Sequence, residues 1–523
     1  MGPQKNLFLV LLFFTIFCIS CNTGARYDIL NTDREPEIRP DYSGVTIPPN
    51  IAPMNFRINE EGKQFRVTAN SGNNKIQLRL KSSDGIIRFP AKYWKKLLRA
   101  SRGDTIKIQI FSYKKDKKVQ EKFEPFNMFV SEEPIDSYLA YRLIYPGYYS
   151  WSRIKIVQRS IESFNEESLI ENQILDMNCV NCHSFNNQNP RKFLVHIRGS
   201  EGGTYFVEDN TITKRDLKID AMPGGATYPS WHPNGRFVAF SSNQVRQHFY
   251  SHPSKTIEVF DLVSGLILFD LENNDVVLIR DSDTTRYLRT FPSWSPDGKY
   301  LYYCRAPEGN SSSNMSMDEI KSTKYDLVRI PFDPESRSFG ETEIVFNASE
   351  KGKSVSFPRV SPDGKYLIFT LDDYGTFPIW HREADLYILN LQSGECKKMD
   401  LNSDETESYH TWSSNSKWLV FSSRRLDGRS TRPFFAYIGS WDHTGKPFVL
   451  PQKDPGLYDA LLESLSIPEF VIGRISVGPR DFAAAGKHES IKAKPENPVD
   501  TLPLWEIQKI NSKRNPGEKS IHE

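Results

Sequence analysis

An excess of charge is the first thing this 523-residue chain lacks: 67 Lys and Arg stand against 65 Asp and Glu, leaving +2. Without a basic surplus nothing neutralises a run of phosphates, so a nucleic-acid partner is excluded as the working expectation. Long apolar runs are also missing. Beyond Leu7 to Phe17, interrupted only by Thr15, no stretch reaches the 18 or so apolar residues of a spanning helix. There is no G-x-S-x-G, which removes the strained serine elbow of the α/β-hydrolases. Cysteine is scarce at six residues, and C-x-x-C-H occurs once. With 38% apolar and 12% aromatic residues the chain is nonetheless too apolar for global disorder and too long for one ordinary domain.

What is present begins with Lys5, the apolar run and then Cys18-Ile19-Ser20-Cys21. This arrangement resembles a bacterial lipoprotein signal, and the resemblance implies lipidation of Cys21 and loss of Cys18 with the signal. It also implies an envelope protein anchored to the outer membrane by its acyl chains and facing the periplasm. Of the other cysteines, Cys304 and Cys396 sit in strand-like patterns, where they either act as small buried hydrophobes or pair.

Residues 22–46 are polar and read as a linker. Over 47–134 the apolar period is two, as in Phe65-Val67, Ile76-Leu78-Leu80 and Ile106-Ile108-Ile110, with turns such as Ser83-Asp84-Gly85 between. That pattern predicts a small β-sandwich with one short helix near Tyr93 to Leu98, serving as a spacer or as a glycan-binding module. From 135 to 190 the chain turns aromatic and then takes helix-like spacing through Ile154, Val157, Ile161 and Phe164. A second helical stretch, Leu169 to Leu175, leads into Cys179-Val180-Asn181-Cys182-His183.

That pentapeptide resembles the attachment site of c-type cytochromes. The resemblance implies haem c as cofactor, with Cys179 and Cys182 as the thioether residues and His183 as the proximal iron ligand. Two thiols one helical turn apart would reach the two vinyl groups. The candidate distal ligands are His196, His248, His252 and several methionines, with His248 and His252 preferred because they lie in what reads as an insertion. A structural zinc site, a Cys179–Cys182 disulfide and a chance match remain open beside haem, although no second Cys/His pair follows for zinc and no βαβ pattern surrounds a redox pair.

The remaining 191–480 repeats. Tyr228 to Phe240 (YPSWHPNGRFVAF) matches Phe291 to Tyr303 (FPSWSPDGKYLYY), and Phe357 to Phe369 and Tyr409 to Phe421 follow in register. The anchors Trp231, Trp294, Val360 and Trp412 lie one propeller blade apart. Phe193 to Lys218 and Leu457 to Val477 supply an earlier blade and a closing element. These Ser-Pro-Asp-Gly-Lys units resemble the TolB-like propeller family, which implies a five- to six-bladed β-propeller. His232 and His410 stand where the other repeats have different residues, and either face the channel or reflect turn variation. The tail, 481–523, reads as flexible.

The expected architecture is therefore mainly β, a propeller preceded by a small β-sandwich and a short helical haem-binding segment. The expected role is electron transfer or haem-based sensing, with the propeller docking a periplasmic or envelope protein and no catalytic residues assigned. A non-redox propeller scaffold with a structural C-x-x-C-H is the alternative.

Overall fold

A computed structural model describes residues 28–114, 119–145, 153–252, 255–280, 286–309 and 316–496, without the side chain of Cys182. Cys21 and the last 27 residues of the expected tail lie outside these.

The repeated turns show why the repeats fold alike. Asp297 Oδ1 accepts from Ser295 Oγ at 2.6 Å and from the Lys299 amide at 3.1 Å. Asp363 does the same with Ser361 and Lys365. The turn glycines 235, 298 and 364 take φ of 73°, 72° and 70°, a region costly for residues with a Cβ. In the divergent repeat, Asn415 replaces the aspartate and bonds Ser413 and Lys417, while Ser416 accepts φ 60°. The side-chain hydrogen bonds, more than the glycine, specify this turn.

Each turn joins an inner strand to the next strand of an antiparallel sheet. Five such sheets begin with inner strands Cys179–Phe185, Ala226–Trp231, Tyr287–Trp294, Ser354–Val360 and Glu407–Trp412; we designate them blades A to E. The sixth, blade F, combines an inner strand from late in the chain, Ser464–Val471, with Tyr138–Ile144, Lys155–Ser160 and Glu166–Glu171 from early in it. Each inner strand packs on the next and the last packs on the first, closing the ring. The chain is thus a six-bladed β-propeller closed by strands from two distant segments, which protects the sheet edges at the seam.

Anchor indoles tie blades together. Trp231 Nε1 donates to Ser184 O at 3.1 Å, Trp294 Nε1 to Ser230 O at 3.2 Å, and Trp412 Nε1 to Arg359 O at 3.1 Å. Phenylalanine at Trp294 keeps most of the packing and orphans the Ser230 carbonyl. We expect a loss of about 1–2 kcal/mol, read as a lower urea midpoint.

Three expectations are corrected. Residues 135–190 are not a helical segment. Their described residues form three strands of blade F and the inner strand of blade A, with two short 3₁₀ turns, Asn172–Ile174 and Asn186–Gln188, as the only helical turns among them. The spacing of Ile154, Val157 and Ile161 mimics a helix because Ile156, Val157 and Gln158 are all buried, so this strand is covered on both faces and loses its alternation. Residues 28–46 are not a free linker: Asp28–Asn31 pairs with Val119–Lys122, and Ile38–Arg39 with Phe56–Ile58. The start of the tail is also structured. Pro479–Gly486 is a helix burying Phe482, and Ile491–Lys492 and Lys494–Pro495 edge blades A and B.

The domain ahead of the propeller has a seven-stranded and a three-stranded sheet plus the helix Ala91–Ala100, with Trp94, Leu97 and Leu98 buried beside Ile106, Ile108 and Ile110. It docks on blade E through Trp418 Nε1 to Glu133 O (3.2 Å) and Asn415 Nδ2 to Pro134 O (2.7 Å). Cys304 and Cys396 are unbridged.

Candidate functional site

The inner strands line a central cavity of about 550 Å³, within the range of small-molecule sites. Each is distorted in the same way. A bulge falls between Thr227 and Ser230, Thr290 and Ser293, Ser356 and Arg359, and Ser408 and Thr411. At its centre Tyr228, Phe291, Phe357 and Tyr409 take φ of 49°, 54°, 52° and 46°, and Ile467 takes 51°. Bulges re-aim side chains, and these turn four rings toward one another: successive centroids are 4.5, 4.1 and 4.6 Å apart. They form an aromatic collar on the cavity wall.

Blade A carries C-x-x-C-H at this very position. Its register shifts between Asn181 and His183, so Cys182 replaces the bulged aromatic and His183 the following proline. The motif is therefore part of the channel-lining strand. His183 lines the cavity and is buried, and neither Nδ1 nor Nε2 has a hydrogen-bond partner. The nearest carboxylate oxygen, Glu469 Oε2, stands 3.9 Å from Nε2. Burial, helped by the Arg142 charge and opposed by a backbone contact from Ile467 too poorly aligned to count as a hydrogen bond, pushes the His183 pKa down to about 3, so the ring is neutral with lone-pair density to offer. Glu469 is pushed up to about 7 by burial, against the Phe185 amide and Arg359. Cys179 packs on the core of blade A. In an extended strand Cys179 and Cys182 are roughly 10 Å apart along the chain, wider than the helical turn expected from sequence.

The expected distal histidines lie elsewhere. His248 belongs to a long hairpin, Phe237–His252 with Lys255–Asp270. Its neighbours Gln247 and Phe249 line the cavity, whereas His248 stacks on Phe260 at 5.5 Å. A strand's two-residue period sends it the other way. His252 is exposed at the hairpin end. His196 is buried against Thr204 Oγ1 at 3.1 Å. The histidine that does reach the cavity with His183 is His410, whose Nε2 meets Ile368 O at 2.9 Å and whose Nδ1 has no partner. His232 instead packs on Trp294 and contacts Gly298 O at 3.1 Å. The repeat alignment flagged position 410, but only the shared bulge puts it level with His183.

The hairpin arches over the cavity mouth and is locked to blade D by groups the sequence analysis missed. His381 Nε2 lies 2.9 Å from Glu258 Oε2, and its Nδ1 bonds Asp372 Oδ2. Tyr374 donates to Glu258 at 3.0 Å, and Lys255 reaches Tyr374 Oη and Glu258, each at 2.6 Å. Burial alone would lower the His381 pKa, yet the two carboxylates raise it to about 9. Burial outweighs that bond at Asp372, which sits above the usual carboxylate range; Glu258, with Lys255 as a second cation, sits below it. Donor atoms of Asp372, His381 and Glu383 also lie within 4.8 Å of one another. With both ring nitrogens engaged, the group is an ion-paired lock.

No protein-family model matches the chain, and no curated protein matches it in sequence. Solved structures resembling it include hydrazine synthase from Kuenenia stuttgartiensis (13% identity, TM-score 0.29, 50% of this chain and 64% of that one). This chain thus spans less than two thirds of that one. A putative 6-phosphogluconolactonase from Bacteroides uniformis shares 12% identity at TM-score 0.33, over 78% of this chain and 100% of its own. The propeller domain of the trilobed protease from Pyrococcus furiosus, described as having an open velcro topology, shares 13% at TM-score 0.31, over 66% and 90%. The propeller assignment rests on the strand topology itself.

Proposed function

We propose that this is an envelope lipoprotein, tethered through Cys21, whose propeller holds a c-type haem at its central cavity for electron transfer or haem-based sensing. The observation that carries the reading is His183: a buried, neutral imidazole with both nitrogens unpartnered, on the wall of a cavity, immediately after Cys182. A buried polar side chain without a partner costs about 1–3 kcal/mol and calls for an explanation. Iron coordination supplies one. The residues fit the group at the ligand and at the cavity, whose arginines suit the carboxylates of a haem. Attachment through both cysteines requires the four residues ahead of His183 to shorten from their extended form. When bound, the haem would supply one-electron exchange or a site for a small ligand on iron. The chain's own part is to keep His183 neutral, to exclude water with the aromatic collar and to present the outer propeller surface to a protein partner.

The alternative, a colourless TolB-like scaffold, is favoured by one observation: Cys179 to His183 already form an intact inner strand. The test is expression of the exported chain in a host with c-type haem maturation, followed by a haem stain on a denaturing gel and a reduced-minus-oxidised spectrum. A covalent band with sharp reduced absorption supports the haem reading. A folded, colourless product overturns it and leaves the scaffold.

A further inference from the structure

The charge lining the cavity is one-sided. Arg142, Arg198, Arg359 and Arg424 reach its wall, and among the described residues Glu469 is the single acid there and no lysine or aspartate joins them. Arg424 is 3% exposed and its Nε has no partner. Its guanidinium carbon lies 3.2 Å over the Trp380 ring, and no described carboxylate pairs with it. Arg142 donates to Ser466 Oγ at 3.2 Å and to Asn181 Oδ1, and Arg359 to Pro358 O at 3.1 Å, all neutral acceptors. Burial brings the Arg424 pKa down to about 9, and the charges of Asp427 and Glu405, neither of them hydrogen-bonded to it, offset that cost only in part.

Register gathers three of these arginines at one end. Arg142 is opposite Ser466, and Arg198 opposite Cys179, near the starts of the inner strands of blades F and A. Arg424 follows Ser423, which is opposite Glu407 at the start of blade E's inner strand. Blades E, F and A are consecutive in the ring, so the three cations share the mouth that the long hairpin of blade B arches over. Further down the channel lies the aromatic collar.

We propose that this mouth is a binding site for a flat organic carboxylate, its acid groups taken by Arg424 and Arg142 and its apolar body by the collar. The buried Arg424 guanidinium, with no carboxylate in direct contact, and Arg142 beside the cavity with neutral acceptors alone, suit a counter-anion. Their planar forks match a carboxylate in two parallel hydrogen bonds, and the stacked rings select a flat, apolar remainder. The carboxylate has two chemical sources, a free metabolite-sized acid or the propionates of a haem held at His183. The site itself does not rest on the haem reading.

Phthalate, a flat ring with two carboxylates, is the probe, with neutral phthalamide as control. In the full mature chain made without haem maturation, phthalate is expected to raise the thermal midpoint and to bind by calorimetry, while phthalamide does neither. Arg424→Gln and Arg142→Gln should each weaken binding about tenfold or more, as expected for loss of a charge-assisted pair. Arg424→Lys, which keeps the charge and loses the fork, should fall between. Equal responses to phthalate and phthalamide, or undiminished phthalate binding in both glutamine variants, would falsify the site. Should Arg424→Gln fail to fold, Arg142→Gln and Arg424→Lys carry the comparison. In haem-bearing protein, loss of the phthalate response assigns the arginines to the propionates, and an unchanged response assigns them to a free acid. A chain that takes up no haem leaves the first comparison intact.

Discussion

A Cys182→Ala chain, exported and matured alongside the unaltered one, is expected to lose one of the two proposed thioether attachments and to show at least a several-fold weaker haem-stained band on a denaturing gel. Thioether bonds survive denaturation, so the gel reads covalent attachment alone. Cys179→Ala should weaken the band too, and the double variant should abolish it. His183→Ala is different in kind: the cysteines remain, so any attached haem should show altered iron ligation, seen as a shifted and broadened reduced spectrum. The fold gives this series a control. Cys182 stands where blades B to E have Tyr228, Phe291, Phe357 and Tyr409, so an aromatic there belongs to the bulge's own repertoire. Cys182→Tyr should fold and show a band weakened at least as much as that of Cys182→Ala. If the cysteine variants stain as strongly as the parent, the motif does not hold haem.

His381→Gln is expected to destabilise the protein by about 3–5 kcal/mol, the usual consequence of removing one partner from a buried ion pair. Glu258 and Asp372 are both buried and would face each other without the intervening cation. The readout is the urea midpoint at pH 7, together with protease cleavage in the hairpin, which loses its lock on blade D. The pH dependence has a definite sign. The His381 pKa is raised from its ordinary 6.5 to about 9 in the folded protein. Its contribution is therefore full below pH 6.5 and is lost as the pH rises through 9. The unaltered protein should lose stability over that window, and His381→Gln should lose less. Tyr374→Phe removes one donor to Glu258 and should cost about 1 kcal/mol. A flat urea midpoint between pH 6.5 and 9 would show that His381 is not charged in the lock.

The propeller was legible because its information is local. Ser-Pro-Asp-Gly-Lys sets a turn by hydrogen bonds within five residues, the following apolar alternation sets a strand, and the repeat sets the ring. The helix expected at Ile154 to Phe164 failed because a strand buried on both faces keeps its apolar residues without a two-residue period. What covers that strand on both faces is its place inside blade F, with Ile154 and Ile156 in one core and Val157 and Ile161 in another, and the blade is completed when Tyr138–Ile144 pairs with Ser464–Val471, some 300 residues away, which no local pattern announces. The same distance hid the lock: Glu258, Asp372 and His381 are unremarkable in sequence and meet because a hairpin of blade B reaches blade D.

For the site the division is similar. The amino-acid order by itself determined the repeats, their turns and the single C-x-x-C-H with His183 at its end, because each of these is a matter of covalent neighbours. Only the tertiary structure decided that this motif lies on a channel-lining strand, that His248 and His252 miss the cavity while His410 reaches it, and that arginines from three adjacent blades crowd one mouth. The reason is physical: which way a strand residue points follows from register and bulges, and register is fixed by partner strands and by the burial they share, not by the residues on either side.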